Sequence, residues 1–298
     1  MSSINFNAWK LAIRIPTLPA AIAPVLVGWA LAERGNEFAL GPASAAFLGA
    51  LLLQIGANFA NDVFDFEKGT DTGSRLGPPR ATQLGLISPQ SMKVGMSLTF
   101  VLALGVGIYL VSVAGWPIIV IGIASILAAL IYTGGPWPIG YHGLGELFTF
   151  LFFGVVAVAG TYYVQTESLN TLTWLSTVPL GFTVTAILVV NNLRDIPTDS
   201  ETNKRTLGVI LGDHKTRIWY TILISGAYLS VALIVLLGLS DPWTLLTFAS
   251  LPIAMIPLRD ILSGVKGPEL NRTLKATALA HLIFGLLFSA SLTGWFPY

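Results

Sequence analysis

The chain contains no cysteine in its 298 residues. Disulfides, thiolate nucleophiles, Cys-ligated zinc, iron–sulfur clusters and covalently attached haem are therefore excluded. It is also poor in charge: 10% of residues are charged, against roughly 25% in a typical soluble domain. With 54% hydrophobic residues, there is too little polar surface to wrap the chain in water, which excludes an ordinary soluble enzyme and a disordered chain. The three histidines, His142, His214 and His281, lie far apart in sequence and suggest no histidine metal cluster. The net charge is +1 with no basic tail, so no nucleic-acid partner is expected. There is no Walker A sequence. The Gly-x-x-Gly-x-Gly of Gly140–Gly145 has the wrong order, and no preceding strand, for a dinucleotide fingerprint.

What is abundant is long apolar runs. A bilayer core needs about 20 apolar residues as helix. Nine runs qualify, near Pro16–Ala32, Ala43–Phe64, Gly95–Ala114, Pro117–Tyr132, Leu144–Val164, Leu172–Asn191, Trp219–Leu239, Pro242–Leu258 and Thr277–Leu292. The first contains Pro16, Pro19 and Pro24 and reads as a retained, kinked helix, not a cleaved leader. With nine spans, fifteen of the sixteen Lys and Arg fall on one side of the membrane, and only Arg34 falls on the other. The positive-inside rule then places the N-terminus and the loops after the second and sixth spans in the cytoplasm, and Trp295–Tyr298 outside. The expectation is an all-α, multi-pass integral membrane protein surrounded by lipid, with nine transmembrane helices bundled around a central cavity. Residues 1–298 form one domain with no appended soluble part.

Two polar constellations interrupt the apolar pattern. The second span ends in Asn58, Asn61, Asp62, Asp65, Glu67 and Asp71, and the sixth in Asn191, Arg194, Asp195 and Asp199. Within each, the three- and four-residue spacings put Asn58, Asn61 or Asp62, and Asp65 on one helix face, and Asn191, Asp195 and Asp199 on another. Asn61/Asp65 and Asn191/Asp195 occupy equivalent positions four spans apart, which suggests two four-helix units facing each other plus a ninth helix. A carboxylate facing lipid at mid-bilayer costs about 3 kcal/mol, so these side chains must line a polar cavity. Crowded carboxylates raise one another's pKa, and a hard divalent cation relieves this. Mg²⁺ prefers carboxylate oxygens and is usually shared with substrate phosphates. Lys68, Arg75 and Arg80 follow the first cluster, and Arg194, Lys204 and Arg205 surround the second. These are suited to phosphate contacts as well as to setting orientation. The composition is that of a diphosphate site at the membrane surface. Glu67 and Asp213 read as surface charges, and His281 as a hydrogen-bonded interior residue. An ion-coupled transporter is the competing class, but the carboxylates gather at one end of the helices and not at the midplane.

At these residues the sequence resembles the UbiA-type superfamily of intramembrane aromatic prenyltransferases, and within it the 1,4-dihydroxy-2-naphthoate polyprenyltransferases of menaquinone and phylloquinone synthesis. The similar stretches are Asn61–Asp71, Tyr132–Pro136, Gly143–Glu146 with the run on to Tyr163, and Asn191–Asp199 followed by Lys204–Leu207. One departure is visible: the last acid of the first motif is Asp71, six residues after Asp65, where four is usual, and Gly69 stands in the usual place.

The resemblance implies transfer of a polyprenyl or phytyl group from its diphosphate to 1,4-dihydroxy-2-naphthoate, with loss of diphosphate and carbon dioxide. Other aromatic acceptors, such as a hydroxybenzoate or homogentisate, are the near alternatives. It implies Mg²⁺ bound by Asn61, Asp65, Asp71, Asn191, Asp195 and Asp199. Asp65, Asp195 and Asp62 carry the chemistry. Asn58, Lys68, Arg75, Arg80, Tyr132, Glu146, Tyr163, Arg194, Lys204 and Arg205 contact the substrates. Tyr132, Phe148, Phe150, Tyr162 and Tyr163 shield an allylic cation with their ring faces, and Glu146 and Asp62 are acid–base groups on the acceptor side.

Overall fold

In hydrocarbon no water satisfies the backbone, so each span must close its own hydrogen bonds. The computed structural model describes residues 5–70 and 76–294, and among these residues there is helix and no strand. The elements are α1 (Phe6–Ile13), α2 (Pro19–Arg34), α3 (Leu40–Glu67), α4 (Pro89–Ala114), α5 (Pro117–Thr133), α6 (Gly145–Thr166), α7 (Thr171–Glu201), α8 (Leu207–Leu236), α9 (Pro242–Leu262) and α10 (Leu270–Leu292).

Among the described residues, seven helical segments are long and apolar enough to cross a membrane, namely α3, α4, α6, α7, α8, α9 and the Gly267–Leu292 segment that contains α10. Counting the bent pair Phe6–Thr17 and Pro19–Arg34 as one span makes eight. The one remaining span expected from the sequence, near Pro117–Tyr132, is α5, which has 17 residues. At 1.5 Å per residue it spans roughly 25 Å, short of the roughly 30 Å hydrocarbon core. The chain is an integral, multi-pass membrane protein.

The expected kink is present. The bent pair turns by 53°, with Pro16 in a 3₁₀ turn and Pro19 at the first position of α2. The turn is pinned to α3. Thr17 Oγ1 accepts from Gln54 Nε2 (3.1 Å) and Asn58 Nδ2 (3.0 Å), and Asn58 Nδ2 also donates to the Ile13 carbonyl (2.9 Å).

Side-chain volume sets how closely helices approach. A methyl on Gly154 of α6 would lie 2.5 Å from the Gly181 Cα of α7, so these helices cross at glycine against glycine. The same stretch of α6, Phe150–Val156, is π-helix. The main core joins α2, α7, α8 and α10 through Val27, Val189, Tyr220, Phe284 and Phe288. His281 is buried there, 2.8 Å from Thr183 Oγ1, the interior role the sequence suggests.

Three contacts gather the polar loops at one end. Lys68 Nζ donates to the Gly135 carbonyl (2.8 Å), the Arg205 amide to the Tyr141 carbonyl (3.1 Å), and Asn271 Nδ2 to the Leu76 carbonyl (2.9 Å). The connections after α3, α5 and α7 thus meet the start of α10. At the opposite end Arg34 is paired with Asp241 at 2.6 Å. Exposed Trp116, Trp174 and Trp243 stand at the starts of α5, α7 and α9 at this end, the arrangement of an interfacial aromatic belt.

Candidate functional site

The last turns of α3 and of α7 carry the two motifs, because both helices run past their apolar segments without a break, α3 to Glu67 and α7 to Glu201. Asn58, Asn61 and Asp65 from α3, and Asn191, Asp195 and Asp199 from α7, all line one cavity of about 1270 Å³. The two motifs therefore share one site at one end of the bundle.

Each carboxylate is already held by named partners. Asp65 is buried; its Oδ2 is 2.7 Å from Arg80 Nη1 and its Oδ1 accepts from the Tyr141 hydroxyl at 2.7 Å. Arg80 also donates to the Asn61 carbonyl. Asn61 Oδ1 accepts from Thr133 Oγ1 at 3.0 Å, which turns the amide oxygen of a cavity-lining residue. In the second motif Arg194 grips Asp195 with a fork, Nε to Oδ1 at 2.7 Å and Nη2 to Oδ2 at 2.6 Å. Its remaining donors reach Asn191 Oδ1 (2.7 Å) and Asn271 Oδ1 (2.8 Å). Asp199 accepts from Thr206 Oγ1 at 3.3 Å and faces Lys204 Nζ at 3.7 Å. Tyr141 lies in a short 3₁₀ turn outside the spans. Burial and the adjacent Asp65 charge push its phenol well above the ordinary range, so it stays a donor.

Other side chains singled out in the sequence lie elsewhere. Asp62 is buried off the cavity, where Oδ2 accepts from the Ala81 amide (3.1 Å) and Oδ1 from the Thr82 amide (3.0 Å). It pins the loop that delivers Arg80 and is not among the residues on the cavity wall. Arg194 is buried, is not among the residues on the cavity wall, and is bonded to Asp195. Tyr163 packs with the cluster of Leu110, Ala114 and Ile118. The Tyr162 hydroxyl accepts from Asn170 near the opposite end, and the Phe150 ring rests on Phe182 and Gly181; neither ring lines the cavity. Glu146 is buried, accepts from Asn192 Nδ2 at 2.8 Å, and is not on the wall, whereas Asn192 is. Lys68 and Arg205 are exposed at the rim. Tyr132 and Lys204 line the cavity as expected. Asp71 and Arg75 lie outside the described residues.

The structure adds residues that spacing did not reveal. Asn271 and Lys275, one turn apart on α10, line the cavity although α10 is distant in sequence from both motifs. Their signal was a polar pair at the start of an apolar helix. Tyr141 had no periodic signal at all. Phe152 and Phe153 replace Phe150 as wall aromatics, Phe152 stacking on Phe148 at 5.9 Å. Much of the remaining wall is apolar, drawn from α2, α3 and α7 as well as α4, α5 and α6, and Lys10 and Arg14 line it near the N-terminal bend. Ile108, Ile119 and Ile123 line it and are also exposed on the outer surface, so this limb reaches the lipid-facing side between α4 and α5.

The donor set suits a hard divalent cation. Asn61, Asp65, Asn191, Asp195 and Asp199 offer only oxygen. Among the described residues no three acidic or histidine side chains converge closely enough to hold an ion unaided.

Residues 21–283 match the UbiA prenyltransferase family. The 1,4-dihydroxy-2-naphthoate octaprenyltransferase of Escherichia coli K12 is 38% identical over 290 residues, covering 94% of each chain. The Mycobacterium tuberculosis protein of the same name is 37% identical, covering 97% of each. Among solved structures, an apo UbiA homolog from Aeropyrum pernix K1 superposes with a TM-score of 0.72 at 15% identity, over 92% of this chain and 97% of that one. A UbiA homolog from Archaeoglobus fulgidus bound to GPP and Mg²⁺ superposes with a TM-score of 0.70 at 14% identity, over 96% and 99%. By the match over most of its length and the identity to these relatives, this chain belongs to the UbiA prenyltransferase family.

Proposed function

We propose that this protein transfers a prenyl group from its diphosphate to 1,4-dihydroxy-2-naphthoate, making the demethylated quinone precursor. The observation that carries this is the single cavity in which two Asn/Asp faces meet and which continues into an apolar limb. The polar end is matched to a diphosphate and the apolar limb to its hydrocarbon tail. The relatives named for naphthoate octaprenyl transfer, and a 2-carboxy-1,4-naphthoquinone phytyltransferase of Synechocystis at 30% identity, support the naphthoate acceptor.

Asn61, Asp65, Asn191, Asp195 and Asp199 would hold Mg²⁺ at the polar end. When bound, Mg²⁺ neutralises negative charge on the diphosphate as that group leaves. Arg80 and Arg194 keep two of these carboxylates in place, and Lys204 on the wall, with Lys68 at the rim, adds positive charge beside the diphosphate. The bond between carbon one of the prenyl chain and the diphosphate oxygen breaks, and its electron pair leaves with the oxygen. The ring carbon bearing the carboxylate then forms a bond to carbon one. That carbon next loses carbon dioxide, and the released pair restores the aromatic ring. Phe148, Phe152 and Tyr132 on the wall exclude water that would quench the allylic cation.

The active-site loops and the N-terminus face the cytoplasm and the C-terminus the opposite side. The concentration of Lys and Arg at the site end supports this orientation. The motifs lie on α3 and α7, the second helices of α2–α5 and α6–α9. Residues 1–298 are thus one domain of two four-helix units and a final helix.

The decisive experiment supplies membranes carrying the protein with Mg²⁺, a labelled prenyl diphosphate and dihydroxynaphthoate. A lipid-soluble adduct lacking the carboxylate should form, and both EDTA and Asp65→Ala should abolish it with the protein still inserted. Adduct formation that survived Asp65→Ala would falsify the assignment.

A further inference from the structure

Tyr141 joins the two halves of the site. Its hydroxyl donates to Asp65 Oδ1 at 2.7 Å and lies 3.0 Å from Thr70 Oγ1. The Lys68 and Lys204 ammonium groups each stand 5.2 Å from its ring centroid. Its carbonyl accepts from the Arg205 amide at 3.1 Å. One side chain therefore touches the carboxylate that ends the α3 face, the lysine just beyond α3 and the lysine just beyond α7.

The geometry answers two physical problems. A carboxylate held on one side still swings about its terminal torsion. Arg80 fixes Asp65 Oδ2 and Tyr141 fixes Oδ1, so the plane of the group is set. Two ammonium groups close together repel, and left alone each would seek the nearest carboxylate. The electron-rich ring between the loops attracts both. Lys68 is further tied to the Gly135 carbonyl, and Lys204 keeps 3.7 Å from Asp199. Both cations are thereby held beside the cavity.

We propose that Tyr141 is a positioning residue with two separable duties: its hydroxyl sets the Asp65 carboxylate for the divalent cation, and its ring pairs Lys68 with Lys204 for the diphosphate. This rests on the reading of the site as a diphosphate-transferring one. It assigns to one aromatic residue the coupling between the loops that follow the two acidic motifs.

The test compares the full-length wild type, Tyr141→Phe and Tyr141→Leu in detergent micelles. Mn²⁺ is titrated at saturating inorganic pyrophosphate and followed by electron paramagnetic resonance; pyrophosphate is titrated at saturating Mn²⁺ by calorimetry. Tyr141→Phe keeps the ring. It should weaken Mn²⁺ about tenfold, the scale of one charge-assisted hydrogen bond, and leave pyrophosphate affinity within twofold. Tyr141→Leu should in addition weaken pyrophosphate about fivefold, the scale of lost cation–π attraction. In turnover, excess Mn²⁺ should rescue Tyr141→Phe but not the raised KM of Tyr141→Leu. Unfolding midpoints measured beside these titrations separate loss of fold from loss of binding. Tyr141→Phe binding Mn²⁺ like the wild type, or Tyr141→Leu binding pyrophosphate no worse than Tyr141→Phe, would overturn the proposal. If the wild type bound neither probe, the diphosphate reading itself would fall and this proposal with it.

Discussion

Arg80 and Asp65 form a 2.7 Å ion pair whose two side chains are 7% and 2% exposed. The arginine arrives on a loop and the aspartate on α3, so the pair closes the loop onto the helix that carries the first motif. Removing one partner of a buried pair costs roughly 3–5 kcal/mol, because the other charge is left without compensation. Arg80→Ala should lower the unfolding midpoint in detergent and reduce kcat/KM for prenyl diphosphate by more than a hundredfold. Arg80→Lys keeps the charge but not the planar fork, and should recover stability better than activity. Equal activity of Arg80→Ala and the wild type would remove the pair from the site.

Asp62 offers the contrasting case. Both its oxygens accept backbone amides, from Ala81 and Thr82, and an unmet buried donor costs about 1–3 kcal/mol. Asp62→Ala should reduce stability by that order. The protein that remains folded should keep the wild-type Mg²⁺ requirement. A shifted Mg²⁺ requirement at unchanged stability would return Asp62 to the catalytic group.

Arg194 holds Asp195 and Asn191 together from behind the cavity wall. Arg194→Met removes the fork while keeping similar bulk. We expect kcat/KM to fall as far as in Asp195→Asn, and the double variant to be no worse than either single one, since both changes break the same unit. Additive losses measured in one assay would separate the two residues.

Chain-length selection should follow the apolar limb. Gly122 lines the cavity, and a methyl built on it meets no atom within 4 Å. Gly122→Phe should therefore enter the limb without disturbing α5 and shift product toward shorter prenyl chains. Mass spectrometry of products from mixed prenyl diphosphates reads this directly, and an unchanged product distribution would place the tail elsewhere.

The cysteine-free background makes topology simple to measure. Ser200 is exposed beyond the second motif, and Glu37 is exposed between α2 and α3. Ser200→Cys should react with an impermeant maleimide only from the cytoplasmic side, and Glu37→Cys only from the outside. The reverse pattern would invert the assigned orientation.

Much of this was legible from residue order. Polar residues three and four apart on a helix must share a face, so Asn61/Asp65 and Asn191/Asp195 could be read as two faces before any contact was seen. The kink near Pro16 and Pro19 followed from proline's fixed φ and missing donor. His281, lone in an apolar helix, had to find a partner. The direction of Arg194 was not legible, because a sequence names a charge but not where a long side chain points. It turned inward to Asp195, as Asp62 turned toward the Ala81 and Thr82 amides. Phe150 and Phe152 could not be told apart, since the π-helical turn of α6 changes which residues reach the cavity.

Composition and periodicity alone decided that this chain lives in a bilayer, that it is helical, and that two acidic faces sit at one end of it. These depend on properties a chain carries locally: the cost of polar groups in hydrocarbon and the repeat of a helix. Only the folded arrangement decided which cation holds which carboxylate, that Asn271 and Lys275 complete the wall from α10, and that Tyr141 stands between Lys68 and Lys204. Those pairings join segments far apart along the chain. They are set by how helices cross and where loops return, which no short stretch of sequence contains.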